Sequence, residues 1–161
     1  MSESKRLSDQ IQRALRGDAW HGPSWREVLE DVSLADAVRR PIPQAHSIAE
    51  IVLHTTTWQE VAKRRLDGET PKVTEEQDWP KAALTSEAEW TAATKRLFDT
   101  GQTLADTVGA FPEQRLQEER PGNAGTWYQL AVGILQHELY HAGQVGLLRK
   151  AGVSAAAPKT S

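Results

Sequence analysis

Four times in this chain a Ser or Thr stands three residues before a Glu or Gln, just where apolar residues begin to recur every three or four positions. The four are Ser24-Trp25-Arg26-Glu27, Ser47-Ile48-Ala49-Glu50, Ser86-Glu87-Ala88-Glu89 and Thr126-Trp127-Tyr128-Gln129. In this pattern the hydroxyl accepts from a free backbone N–H of the first turn, and the acid or amide reaches back to the N–H of the capping residue. Each therefore marks a helix start. A further amphipathic stretch without such a cap, from about Lys5 to Arg16, carries Leu7, Ile11 and Leu15 on one side. Together these signals predict long helices near residues 4–17, 47–67, 86–109 and 126–150 and a short one near 24–32. No segment joins β-branched alternation to a hairpin turn, so no sheet is expected. The fold class is all-α, and a four-helix bundle is the natural architecture.

The links between the long helices are themselves long and rich in breakers. Gly17 to His46 contains Pro23, Pro41 and Pro43; Gly68 to Thr85 contains Pro71 and Pro80; Gly109 to Gly125 contains Pro112, Pro121 and Gly122. Such connections permit parallel as well as antiparallel neighbours, so the periodicity alone leaves the topology open. At 161 residues the chain fits one domain. We place that domain at 1–152, with 153–161 as a flexible C-terminal tail, because Ala155-Ala156-Ala157-Pro158-Lys159-Thr160-Ser161 has little to bury.

Composition removes several classes of function. There is no cysteine, so disulfides, thiolate ligands and cysteine nucleophiles are excluded, and any thiol chemistry needs a thiol from outside. The net charge is −3, and the densest basic cluster, Lys63-Arg64-Arg65, is one turn of a predicted helix rather than a stripe, so no nucleic-acid partner is expected. No apolar run approaches the roughly 20 residues needed to cross a bilayer, and no membrane partner is expected. The polar start Met-Ser-Glu-Ser-Lys-Arg lacks the apolar core of an export signal, which makes a cytoplasmic location the expectation.

The chemistry concentrates in Gln136-His137-Glu138-Leu139-Tyr140-His141, read together with His54. Residues four apart on a helix lie one above the other, so His137 and His141 can aim two imidazoles at one point. Ile51, His54, Trp58 and Val61 share one predicted helix face, and Ile134, His137, His141, Val145 and Leu148 share another. Three histidines therefore face the interior. Neutral imidazoles are costly to bury unless their nitrogens find partners, and a divalent cation satisfies three at once. Taken alone, a His-x-x-x-His pair is more often surface or hydrogen-bonded core; the third inward histidine on a separate helix shifts the balance toward metal. The remaining two, His21 beside Gly22-Pro23 and His46 before Ser47, read as loop or cap residues.

His137 to His141 also matches the His-Glu-x-x-His pattern of zinc proteases. Those enzymes usually take a third ligand from downstream, yet no His, Asp or Glu follows His141 and no strand is expected. Glu138 is a candidate base toward metal-bound water, although it sits about 100° around the helix from His137, where a packing or supporting acid is the commoner outcome. Trp58 and Tyr140 are candidate pocket walls, and Gln144 a polar neighbour beyond His141.

These residues resemble the DinB/YfiT-like family of metal-binding four-helix bundles. The likeness runs over nearly the whole chain through Ala45 to His54, Asp78-Trp79-Pro80, and the block from Gln136 through His141 to Ala142-Gly143-Gln144, the last being the most specific. The resemblance implies that His54, His137 and His141 hold a divalent metal with water completing the shell. It also implies an up-down-down-up bundle and a homodimer. Members with assigned activity resemble thiol-dependent S-transferases, in which the metal activates a low-molecular-weight thiol toward a small-molecule electrophile; others resemble metal-dependent hydrolases or isomerases. Three imidazoles suit zinc or nickel first, with iron, manganese and copper also admitted. The alternative class is a non-catalytic, metal-stabilised bundle acting as a binding or stress-response module.

Overall fold

The computed structural model describes residues 1–122 and 124–154. Four long helices, α1 (Glu3–Arg16), α4 (Ile48–Leu66), α6 (Glu87–Ala110) and α7 (Trp127–Ser154), form the body. Three short ones, α2 (Trp25–Leu29), α3 (Leu34–Val38) and α5 (Glu75–Asp78), lie in the links, with a 3₁₀ turn at Glu113–Arg115. Among the described residues there is no strand, only an isolated bridge between Glu119 and Thr126.

All four anticipated capping boxes form. Ser24, Ser47 and Ser86 accept from the N–H of Glu27, Glu50 and Glu89, and each acid reaches back to its cap. Thr126 exchanges the same two bonds with Gln129 at 2.9 and 3.2 Å. The first helix, expected without a cap, has one: Ser2 Oγ accepts from the Lys5 N–H. Helices α3 and α5 were not anticipated, although Ser33 caps one and Thr74 with Gln77 boxes the other. Five and four residues are too few for apolar periodicity to register, and helices that short persist only through packing. The last helix runs on to Ser154, beyond the expected end near 150; of the expected tail, 155–161 lie outside the described residues.

Contacts at the bundle ends define the topology. At one end Ser4 Oγ donates to the Phe111 carbonyl, Phe111 packs on Trp127, and Arg65 faces Trp127 across a cleft. At the other end Trp90 Nε1 donates to the Val32 carbonyl, and Val32, Ile48 and Leu148 share a cleft. Helices α1 and α7 therefore run one way and α4 and α6 the other, an up-down-down-up bundle. Leu7, Ile11 and Leu15 of α1 meet Val52 of α4, Leu97, Leu104 and Val108 of α6 and Val145 of α7 in one core. Trp25 of α2 is buried in the same cluster.

Where α6 passes α1 and α4, the approach is so close that only a glycine fits. A Cβ on Gly101 would lie 2.8 Å from both terminal carbons of Leu15 and 2.9 Å from Gln59 Nε2. Both neighbours are fully buried and have no room to yield. Gly133 of α7, by contrast, has nothing within 4 Å of a built Cβ. Alanine gains about 1 kcal/mol over glycine in a helix interior, but overpacking costs about 1–3 kcal/mol. Gly101→Ala should therefore lower the unfolding free energy by up to about 2 kcal/mol despite its better propensity, while Gly133→Ala should raise it by about 0.5–1 kcal/mol. Urea denaturation of the two variants checks both signs.

Candidate metal centre

The centre begins with a proline. Pro80 cannot continue a helix and disfavours helical geometry in the residue before it, so α5 stops at Asp78 and Trp79 turns out at φ −119°, ψ 79°. The last carbonyls of any helix lack an intrahelical donor. That of Asp78 accepts from His54 Nδ1–H at 2.6 Å, and Asp78 Oδ1 lies 3.2 Å from the same nitrogen. Asp78 Oδ1 also accepts from Trp58 Nε1 at 2.6 Å, tying the next turn of α4 to the same residue.

Across the bundle interior, α7 presents His137 and His141. His141 Nδ1–H donates to Gln144 Oε1 at 2.6 Å, which makes Gln144 the polar neighbour anticipated one turn on. With both Nδ1 hydrogens engaged, His54 and His141 offer bare Nε2 lone pairs, and both are aimed at His137 Nε2, at 3.0 and 3.1 Å. His137 can donate at most one hydrogen from that atom, so at least one contact sets lone pair against lone pair. Protonation offers no relief. Burial, reinforced by the charges of its two neighbours, pushes His137 down to about 3, and burial pushes His141 to about 4 and lowers His54 despite the help of Asp78. A cation does offer relief. At metal–nitrogen bonds of about 2.0–2.1 Å, two ligands of one ion lie about 2.8–3.4 Å apart for coordination angles between octahedral and tetrahedral. The donor set fits, and His54, His137 and His141 can bind a divalent metal ion. In His137 the outer nitrogen, Nδ1, is buried without a partner.

Aromatic rings enclose the cluster. Trp79 lies flat against His54 (3.8 Å, 8°) and against His46 (3.6 Å, 6°). Two rings that near to one indole cannot share a face, so Trp79 is sandwiched between them. Trp58 meets His54 and His137 edge-on at 6.4 and 6.2 Å, and Tyr140 meets His141 at 5.0 Å while remaining 64% exposed. His54 and His141 are only 5% and 4% exposed; His137 is the more open of the three. His46 does precede the cap of α4, as anticipated, but its stacking role was not legible, because no local pattern links it to a tryptophan 33 positions later. Asp78 had a signal in the Asp-Trp-Pro triplet, although not one that revealed its carbonyl.

Glu138 faces elsewhere. It is fully buried, its Oε1 accepts from Gln59 Nε2 at 2.9 Å, and Gln59 Oε1 in turn accepts from Thr100 of α6. Its Oε2 has no hydrogen-bond partner, nor does the nearby indole nitrogen of Trp25. Burial pushes this carboxyl up to about 8, against the opposing pull of Gln59 and Trp25. No histidine nitrogen is among its hydrogen-bond partners, and the surroundings are those of a packing acid shared by α2, α4, α6 and α7.

The class defined by this geometry is a helical bundle with an internal three-histidine cluster. A family model for the DinB superfamily matches residues 19–145, and the chain belongs to that superfamily. No curated protein and no solved structure gives a match. No described helix is long and apolar enough to cross a membrane.

The two buried polar groups oppose each other in pH dependence. In metal-free protein Glu138, raised from 4.5 to about 8, contributes stability that is full below pH 4.5 and is lost as pH rises through about 8. His137 and His141, lowered from 6.5 to about 3 and about 4, contribute stability that is present above pH 6.5 and is lost as pH falls through those values. Glu138→Gln should therefore gain on the wild type as pH rises from about 5 to about 9. Melting curves in chelator test this, and a wild type–variant gap that stays constant across the range would refute a carboxyl held neutral by burial.

Proposed function

We propose that this protein is a metal-dependent enzyme that activates a small thiol or water at His54, His137 and His141, most nearly of the thiol S-transferase type. The observation that carries this reading is the convergence of three Nε2 atoms, two with tautomers set by Asp78 and Gln144. Three neutral imidazoles leave open positions on a cation, the arrangement of a catalytic rather than a closed structural site. A divalent metal held there lowers the pKa of a bound thiol or water and so supplies a nucleophile near neutral pH.

This chain's own residues prepare the place. The Asp78 carbonyl and Gln144 Oε1 hold the protons of the outer nitrogens and keep His54 and His141 oriented. The sandwich of His46, Trp79 and His54 shuts out water on one side, and Trp58, anchored by Asp78, shuts it out on another. With no cysteine in the chain, a thiol nucleophile has to come from a low-molecular-weight cosubstrate. Hydrolysis by activated water uses the same residues and is the neighbouring alternative.

The near-complete burial of His54 and His141 supports a second reading, a non-catalytic bundle whose helices the ion fastens. Turnover separates the two: a fastening role predicts a lower melting temperature on chelation with no thiol transfer or hydrolysis in either state.

Protein purified without chelator or metal-affinity resin should carry near-stoichiometric metal by elemental analysis, and His54→Ala and His137→Ala should carry none. Gln144→Leu should retain the site but weaken metal affinity about 10–100-fold, the usual effect of losing a supporting hydrogen bond. A wild type that stays metal-free after incubation with zinc, nickel or manganese would sink the proposal.

A further inference from the structure

One end of the bundle holds two guanidinium groups that the metal reading does not use. Arg65, in the last turn of α4, and Arg120, in the link before α7, line one cleft of about 250 Å³ together with Glu69, Thr70, Pro71, Pro121, Ala124 and Trp127. We propose that Arg65 and Arg120 form a binding site for the oxyanion group, carboxylate or phosphate, of a small molecule.

Among the described residues neither arginine has an acidic partner. Arg120 is steadied by backbone carbonyls, donating from Nε to Gly125 at 3.2 Å and from its terminal nitrogen to Ala124. The backbone at its base is pinned too, since Arg120 N–H donates to the same Gly125 carbonyl and Glu119 bridges to Thr126. Arg65 rests on the Trp58 ring, with its guanidinium carbon 5.5 Å from the centroid. The one carboxylate at the cleft, Glu69, is already engaged by Arg64 at 2.6 and 2.8 Å. Two like charges thus share a partly desolvated cleft whose one carboxylate is committed to Arg64. Burial, followed by the charge of Arg120, pulls the Arg65 pKa below its usual value, the cost expected of cations left unpaired.

An oxyanion removes that cost. The planar fork of arginine matches carboxylate and phosphate oxygens two at a time, and Thr70, which also lines the cleft, carries a hydroxyl that can donate. The volume falls below the roughly 300–1,000 Å³ of pockets for drug-sized ligands, so the cleft suits one anionic group rather than an entire large ligand. Because Trp58 carries Arg65 on its ring and touches His54 and His137 at its edge, the anion site adjoins the histidine cluster. The proposal does not depend on a metal being there.

Calorimetric titration of inorganic phosphate, and separately acetate, into chelator-treated full-length protein at low ionic strength tests it. Saturable binding of either ion is expected, weakened about tenfold or more in both Arg65→Met and Arg120→Met. Arg13→Met, which removes an exposed arginine paired with Asp9 on α1 and away from the cleft, should change affinity less than about twofold. Arg65→Lys guards against a loosened fold: it keeps the charge while losing the fork, and should bind more weakly than wild type with an unchanged melting temperature. Tighter binding of phosphate assigns a phosphate group and tighter binding of acetate assigns a carboxylate. Absence of binding to the wild type, or equal weakening in all three methionine variants, would overturn the site.

Discussion

Three imidazoles inside a bundle bring six ring nitrogens out of water, and most of the local architecture follows from where five of them find a partner, His137 Nδ1 alone having none. Two outer nitrogens are taken by a helix-terminal carbonyl and a glutamine amide. The three inner ones lie within 4.8 Å of one another, and His137 Nε2 stands 3.0 and 3.1 Å from the other two, distances that suit ligands of a common ion better than they suit facing lone pairs. Both partners exist for reasons traceable to sequence. The Asp78 carbonyl is free because Pro80 ends α5 there, and Gln144 lies three residues past His141, within reach along the same helix face. The short helix in the second link is thus the piece that orients His54, and Trp79 follows from it as the slab that covers the ring.

A second polar layer lies directly behind the first. His137 and Glu138 are consecutive, yet about 100° of helix rotation separates them, and they serve different environments. His137 joins the histidines, while Glu138 joins Gln59, Thr100 and Trp25 where four helices meet. A charged carboxylate with one hydrogen bond and an unpartnered second oxygen would be costly in that position. The raised pKa resolves the conflict by keeping the group neutral at pH 7. The His-Glu-x-x-His spelling is therefore shared with proteases through helix geometry, while the chemistry of its glutamate is set by what surrounds it.

How much of this was legible depended on distance along the chain. The capping boxes, the four long helices and the inward faces of His54, His137 and His141 rest on relations within three or four residues, and all were readable. Gln144 was readable for the same reason. The sandwich of His46 with Trp79, the bond from His54 to the Asp78 carbonyl and the Gln59–Glu138 pair link residues 24 to 79 positions apart. The first two depend on how an eighteen-residue link crosses the bundle and the third on how α4 packs against α7, and no spacing rule encodes either. Helix α5 shows the boundary most clearly. Its Thr74-Glu75-Glu76-Gln77 box was as well spelled as the other four, but with no apolar period following it there was no helix face to predict.

The topology also limits what metal removal can reveal. His54 and His137 are 83 residues apart in sequence and meet because α4 and α7 pack antiparallel. A ligand shared between them closes a long loop and binds the folded chain alone. Any such ligand stabilises the fold by mass action, by about 2.7 kcal/mol at a hundredfold excess over its dissociation constant. A melting shift on chelation is therefore required of a catalytic ion as much as of a fastening one, and its size reports affinity rather than purpose. What distinguishes the two is whether the open side of His137 admits a second molecule. That is a question for turnover, and for whether an anion seated near Arg65, one indole away, alters it.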